Sequence, residues 1–259
     1  VTWFDNLTRT FLDTGAMLEV LPQMLTTGLR NTLVISIAAT VTGTVLAMVL
    51  AIMGISRSRW LRVPARVYTD VFRGLPAIVT ILLIGQGFSQ FSRELFGPSP
   101  YPLGILALAL ISSAYLGEIF RAGILAVDKG QLEACRALGM SYGTAMRLVV
   151  VPQGVRRVLP ALVNQFIAIV KDSSLVYFLG LLTSERELFR VGQDAAVLSG
   201  NLSPLVLAGV FYLIITVPLT HLVNVVDERF RTGRRRPTTA PRSGLDEVAE
   251  LAGTRGSAS

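Results

Sequence analysis

The sequence predicts an all-α integral membrane protein with five transmembrane helices, and three observations carry that prediction. Of its 259 residues, 51% are hydrophobic and only 16% charged, and its mean hydropathy is positive, a balance outside the usual range of soluble domains. Five apolar runs reach the ~20 residues that a helix needs to cross a hydrocarbon core. Basic residues gather in alternate connections between those runs, as the positive-inside rule requires of a multi-pass chain.

The elements follow in order. Trp3, Phe4, Leu7 and Phe11 fall on one helical face, which predicts an interfacial helix on the outer surface, within an extracytoplasmic segment 1–20. The first fifteen residues carry aromatics and acids rather than a basic start and an apolar core, so no cleavable signal peptide is expected. A membrane domain then occupies residues 21–230. Its spans run from about Leu29 to Gly54, Val71 to Phe91, Leu103 to Ala126, Leu159 to Leu182 and Pro204 to Val226.

Charge orients them. Arg57, Arg59, Arg62 and Arg66 lie between the first two spans. Lys129, Arg136, Arg147, Arg156 and Arg157 lie between the third and fourth, and Arg229, Arg231, Arg234, Arg235 and Arg236 follow the fifth. The remaining connections are balanced: Arg93 stands beside Glu94, while Arg186 and Arg190 are offset by Glu185, Glu187 and Asp194. The N-terminus is therefore expected outside and the C-terminus in the cytoplasm. A basic tail, residues 231–259, is rich in Arg, Pro, Thr, Ser and Gly and is expected to be disordered.

Several chemistries are removed by the residues present. The net charge of +7 borders apolar runs, which points to membrane orientation and not to nucleic acid. Neither lysine, Lys129 or Lys171, stands in the Gly-Lys-Ser/Thr context of a phosphate-binding loop. The single Cys135 forms no internal disulfide and builds no metal site. Gly139-Met140-Ser141-Tyr142-Gly143 matches the G-x-S-x-G pattern of a nucleophile elbow, but helical sequence precedes it and the one histidine, His221, lies near the end of the fifth span. No catalytic residue and no metal are expected.

The loop 128–152 has the signals of a helix, a stop and a second helix. Asp128 can cap a helix from Gln131 to Leu138, Gly139 suits the left-handed residue that ends it, and Ser141 can cap the next, which Pro152 ends or bends. Glu133 and Arg136 stand at pairing distance, and Ala134 and Ala137 leave a thin face. On these grounds alone a docking element and an ordinary connection stand level.

Charges inside the spans are costly and face a cavity or a partner. Lys171 and Asp172 lie about 13 residues into the fourth span, roughly 20 Å along it, and Glu118 and Arg121 lie in the inner half of the third. These groups either line a path for a zwitterion or pair for structure. Ala39, Gly43, Ala47 and Ala51 repeat every four residues on the first span, a face for close contact with a second chain or with another span of this one.

The loop resembles the EAA loop of permease subunits of ATP-binding-cassette importers. Glu133, Ala134, Cys135, Gly139, Val149, Val151 and Pro152 take its positions, with Cys135 in place of the third-position alanine and valines in place of Ile and Leu. Phe72-Arg73-Gly74-Leu75-Pro76, Ala114 to Ile124, and Asn164 to Leu175 resemble further signatures of the polar amino-acid branch, so that the likeness covers roughly residues 20–230. It implies a type I importer permease in a bacterial cytoplasmic membrane, importing an amino acid such as glutamate, glutamine, arginine or histidine. The resemblance assigns ATPase coupling to Glu133, Ala134, Cys135, Arg136, Leu138, Gly139, Met140 and Ser141. It suggests a substrate pathway at Arg73, Glu118, Lys171, Asp172 and Ser173. It also implies a dimer of separate ATPase subunits that hold ATP and magnesium, a second permease chain, identical or related, and an extracytoplasmic solute-binding protein. A membrane scaffold and a membrane-embedded enzyme are the alternatives.

Overall fold

The computed structural model describes residues 3–232, and every regular element among them is helical. Helix α1 (Trp3–Phe11) exposes Trp3, Leu7 and Phe11, as the aromatic pattern anticipates. Asp13 caps α2 (Thr14–Gln23), its carboxylate accepting from the Gly15 and Ala16 amides at 2.9 and 3.2 Å. One π-type turn, Met24–Gly28, leads straight into α3 (Leu29–Ile55).

The second span departs from expectation. No continuous helix covers 71–91: α4 (Arg59–Gly74) and α5 (Ala77–Gly87) meet at a bend of 106°. The cause is Pro76, which has no amide hydrogen to continue the helix and pushes its predecessor into extended conformation. Leu75 accordingly sits at φ −82°, ψ 139°. Four helical stretches among the described residues are long and apolar enough to cross a membrane, and a fifth is reached when the bent pair is counted as one span. A short α6 (Ser89–Phe96) follows, ended by Gly97 at φ +78°.

Helix α7 (Tyr101–Leu125) is the hub, with 67% of its apolar window buried inside the chain. The small-residue face of α3 packs on it. A Cβ at Gly43 would fall 2.1 Å from Ser112 Oγ and 3.0 Å from the Ala109 carbonyl, and one at Gly117 would touch the Ala47 carbonyl at 3.4 Å. Ala39, Ala47 and Ala51 are buried. The close contact that spacing left open is thus made within the chain, and backbone proximity rather than long side chains holds the two helices. Around this pair, Ile35, Ile81, Leu108, Ile111, Ile169 and Val176 form the main core.

The cytoplasm-assigned loop gives α8 (Lys129–Ala137), then α9 (Tyr142–Ala145), which continues through a π-type turn at Met146–Val150 into α10 (Val151–Arg157). Pro152 does not end this helix. The widened turn lies directly before it, where an α-helical register would set the proline ring against the carbonyl four residues back. The fourth span is composite: α11 (Leu159–Asp172) tightens into a 3₁₀ helix, Ser173–Leu179, that stops at Gly180, φ +72°.

Helices α12 (Leu188–Ser199) and α13 (Ser203–Thr232) complete the chain. Val20, Met24, Leu188, Val191, Ala208 and Phe211 tie α2, α12 and α13 into a second core. Its polar centre is Glu187, a residue that sequence reading counts only as a loop charge. Glu187 is fully buried and caps α12, accepting from the Phe189 and Arg190 amides at 2.6 and 2.7 Å and from the Tyr212 hydroxyl at 3.0 Å. Burial pushes its carboxyl up to about 7, against the opposing pull of these donors and of Arg190. Of the other charges of that connection, Arg190 hydrogen-bonds Asp194 at 2.9 Å and Arg186 lies 3.3 Å from the same carboxylate, while Arg186 Nε and Glu185 Oε2 are buried without a hydrogen-bond partner among the described residues. The tail expected over residues 231–259 lies, beyond Thr232, outside the described residues.

Candidate functional site

The loop residues form one surface turn. Asp128 Oδ1 accepts from the Gly130 amide at 2.7 Å and fixes the start of α8. At its far end Gly139 takes φ +82°, and no atom lies within 4 Å of where a Cβ would stand. Conformation, not crowding, therefore demands glycine there. Ser141 Oγ accepts from the Thr144 amide at 3.1 Å and lies 2.8 Å from Thr144 Oγ1. The serine is a helix cap, and a helix and turn stand before it where a nucleophile elbow needs a strand.

The side chains divide by face. Glu133, Ala134, Arg136, Leu138 and Ser141 are exposed, Leu138 at 84%, and Met140 is half-buried. Cys135 is buried, so the position that differs from the alanine of the EAA pattern points into the chain. The expected Glu133–Arg136 pair is not formed. Arg136 instead donates to the Met140 carbonyl at 2.7 Å, because the left-handed turn at Gly139 folds that carbonyl back over the end of α8. This bond braces the turn and leaves the Glu133 carboxylate facing outward.

The intramembrane charges fall into two places. Arg73 and Glu118 line one polar cavity of about 220 Å³, shared with Arg62, Arg66, Asp70 and Arg121. Arg121 grips Glu118 with two parallel bonds of 2.9 Å, Nε to Oε1 and Nη2 to Oε2, and Arg73 Nη1 stands 4.0 Å from Oε2. The bend at Leu75–Pro76 positions this site, because it ends α4 just past Arg73, beside the middle of α7. Two further arginines of the cavity, Arg66 and Arg62, sit about two and three turns before Arg73 on the same helix, a signal legible in their spacing but assigned in sequence to the loop.

Lys171, Asp172 and Ser173 do not line this cavity. Lys171 is exposed on the single chain, Asp172 is half-buried, and Ser173 is buried with its hydroxyl donating to the Val170 carbonyl at 2.8 Å. They mark the junction where α11 tightens into the 3₁₀ helix.

Comparison with known proteins agrees with the fold. Residues 43–232 match the family model described as binding-protein-dependent transport system inner membrane component. The arginine transport system permease protein ArtQ of Bacillus subtilis (strain 168) is 35% identical over 221 residues, which cover 85% of this chain and 98% of that protein. The octopine transport system permease protein OccM of Rhizobium radiobacter is 35% identical over 238 residues, covering 88% and 94%. Among solved structures, an amino acid ABC transporter crystallised with histidines superposes with a TM-score of 0.73 at 33% identity, over 84% of this chain and 99% of that one. The inward-facing methionine transporter MetNI shares the fold, with a TM-score of 0.64 at 18% identity.

Proposed function

Because the chain belongs to the family of binding-protein-dependent transport system inner membrane components, we propose that it is the permease subunit of an ATP-driven importer of a polar amino acid. As a member of that family it is a multi-pass transport component of the inner membrane, not an enzyme in its own right. ATP and magnesium are held by a separate ATPase dimer. A second permease chain completes the pathway, and a solute-binding protein delivers the substrate from outside. ATP binding favours the outward-facing state and hydrolysis resets it.

One observation carries the coupling assignment. Two capped helices meet at a left-handed glycine, and the Glu133, Ala134, Arg136 and Leu138 side chains face away from the chain. A rigid outward turn of this kind can seat in a groove of the ATPase and pass its motion through α9 and α10 to α7. The substrate reading draws on both charged places. Arg73 and Glu118 offer the cavity a cation and an acid, which suit the two charged groups of an amino acid. Lys171 and Asp172 offer the same pair on a surface that a second chain can close. The charge pattern supports an inside position for the α8–α9 loop, since Arg186 and Arg190 at the other end share Asp194 and stand beside Glu185.

The test is uptake in proteoliposomes holding permease, ATPase and binding protein. A β-branched residue in the left-handed region costs about 1–2 kcal/mol or more, so Gly139→Val should collapse the turn. Gly139→Val and Glu133→Arg are each expected to cut uptake and binding-protein-stimulated ATP hydrolysis at least tenfold, with chain content unchanged. Survival of both activities in both variants sinks the coupling assignment.

A further inference from the structure

We propose that the groove between the end of α3 and the start of α9 is a binding site for one anionic phospholipid of the inner leaflet. The groove encloses about 700 Å³, room for the first part of an acyl chain. Met48, Ile52, Leu61 and Met146 form its walls, and Arg57 and Arg147 stand at its rim. No acidic residue lines it. Both arginines are exposed, and among the described residues neither has a carboxylate within 4.0 Å. Arg57 lies over the Tyr142 ring at 5.6 Å, which holds its guanidinium at the mouth while leaving its edge free to donate.

Two features select a lipid over another occupant. The first is continuity. Val34, Ile37, Val41, Val45, Val49 and Ile52 form an exposed apolar stripe down α3 at three- and four-residue spacing. Ile52 belongs both to that stripe and to the groove wall, so the groove opens onto a surface already fitted to hydrocarbon. The opposite face of α3 is spent on α7, as the Gly43 and Gly117 contacts show. The second is charge. An apolar slot with two unneutralised guanidinium groups at its mouth matches a phosphodiester headgroup above an acyl chain, and arginine binds such oxygens in pairs. The inference rests on the inside placement of the α8–α9 loop. Its consequence is that the helix leading from the coupling turn, through Tyr142 and Met146, has a lipid as one wall.

The experiment uses the assembled transporter in nanodiscs of equal phosphatidylglycerol and phosphatidylethanolamine, extracted mildly and weighed by native mass spectrometry. The wild type is expected to retain about one phosphatidylglycerol per permease chain in preference to phosphatidylethanolamine. The double variant Arg57→Gln, Arg147→Gln should lower that retention about thirtyfold, five- to sixfold per arginine. A diazirine-bearing residue introduced at Met53, which also lines the groove, should capture phospholipid. Equal retention by the double variant, no headgroup preference in the wild type, or capture of the ATPase or a second permease chain at position 53 each overturns the proposal. Uptake by the same preparation reports separately on the permease reading, so its failure is distinguishable from loss of the lipid.

Discussion

Glu187→Ala is expected to destabilise the chain by about 3 kcal/mol or more at pH 5, read as a fall in the thermal unfolding midpoint in detergent. The variant strands the Phe189 and Arg190 amides and the Tyr212 hydroxyl, and each unsatisfied buried group costs about 1–3 kcal/mol. The wild type itself should respond to pH. Burial raises the Glu187 carboxyl from an ordinary 4.5 to about 7. Between those values the folded chain holds a proton that the unfolded chain has released. This contribution to stability is therefore complete below pH 4.5, falls as pH rises, and is gone above 7, a change of about 3 kcal/mol in all. Glu187→Gln keeps the shape and most of the acceptor capacity and should flatten that slope. The alanine variant should be most harmful at low pH, because above pH 7 it also removes the cost of a buried anion. A wild type whose midpoint does not fall between pH 5 and 8 would contradict the account.

Gly154→Val is expected to lose nearly all uptake and most folded chain. At this crossing α10 lies directly on α7. A Cβ at Gly154 would stand 2.7 Å from Ile124 Cα and 2.8 Å from its nitrogen, and one at Gly123 would stand 2.6 Å from the Gly154 carbonyl. The obstructing atoms are backbone and cannot swing aside, so the helices must separate, at or above the upper end of the 1–3 kcal/mol typical of overpacking. Gly154→Ala should show the same defect in smaller degree. Gly143→Ala, in the preceding helical segment with open space at its Cβ, is the matched control and should fold and transport like the wild type. The comparison is read by size-exclusion profile and initial uptake rate. Normal behaviour of Gly154→Val would show that α10 and α7 are not in backbone contact.

Much of this architecture was legible in the residues because bilayer constraints are one-dimensional. Span length and apolar run coincide for α3, α7 and α13, and the caps at Asp128, Gly139 and Ser141 are local signals with local outcomes. Pro76 reads in the sequence as a tolerated kink in a span, but the size of the bend, 106°, is not legible in an apolar run over 71–91, which looks the same whether straight or broken. Glu187 was missed for a related reason. Its burial depends on Tyr212, 25 residues away in sequence, whereas an acid in a charged connection reads as solvated. The Glu133–Arg136 pairing failed because spacing counts side chains alone, while the Met140 carbonyl, turned back by Gly139, is the nearer acceptor. The charges read in sequence as a candidate pathway fall in two places, Arg73 and Glu118 at one cavity and Lys171 to Ser173 elsewhere: their depth along each span is set by sequence, and their facing is set by packing.

The bend at Leu75–Pro76 also bears on how the protein is made. With only eleven residues, α5 is about 16 Å long, roughly half the hydrocarbon thickness. Helix α4 before it turns Arg62, Arg66 and Arg73 to the polar cavity. During biogenesis α5 is therefore too short to partition as a free-standing segment. Its apolar contacts come from α7, whose Leu108 and Ile111 share the main core with Ile81. The second crossing thus draws its apolar partners from the third, which follows it in the chain.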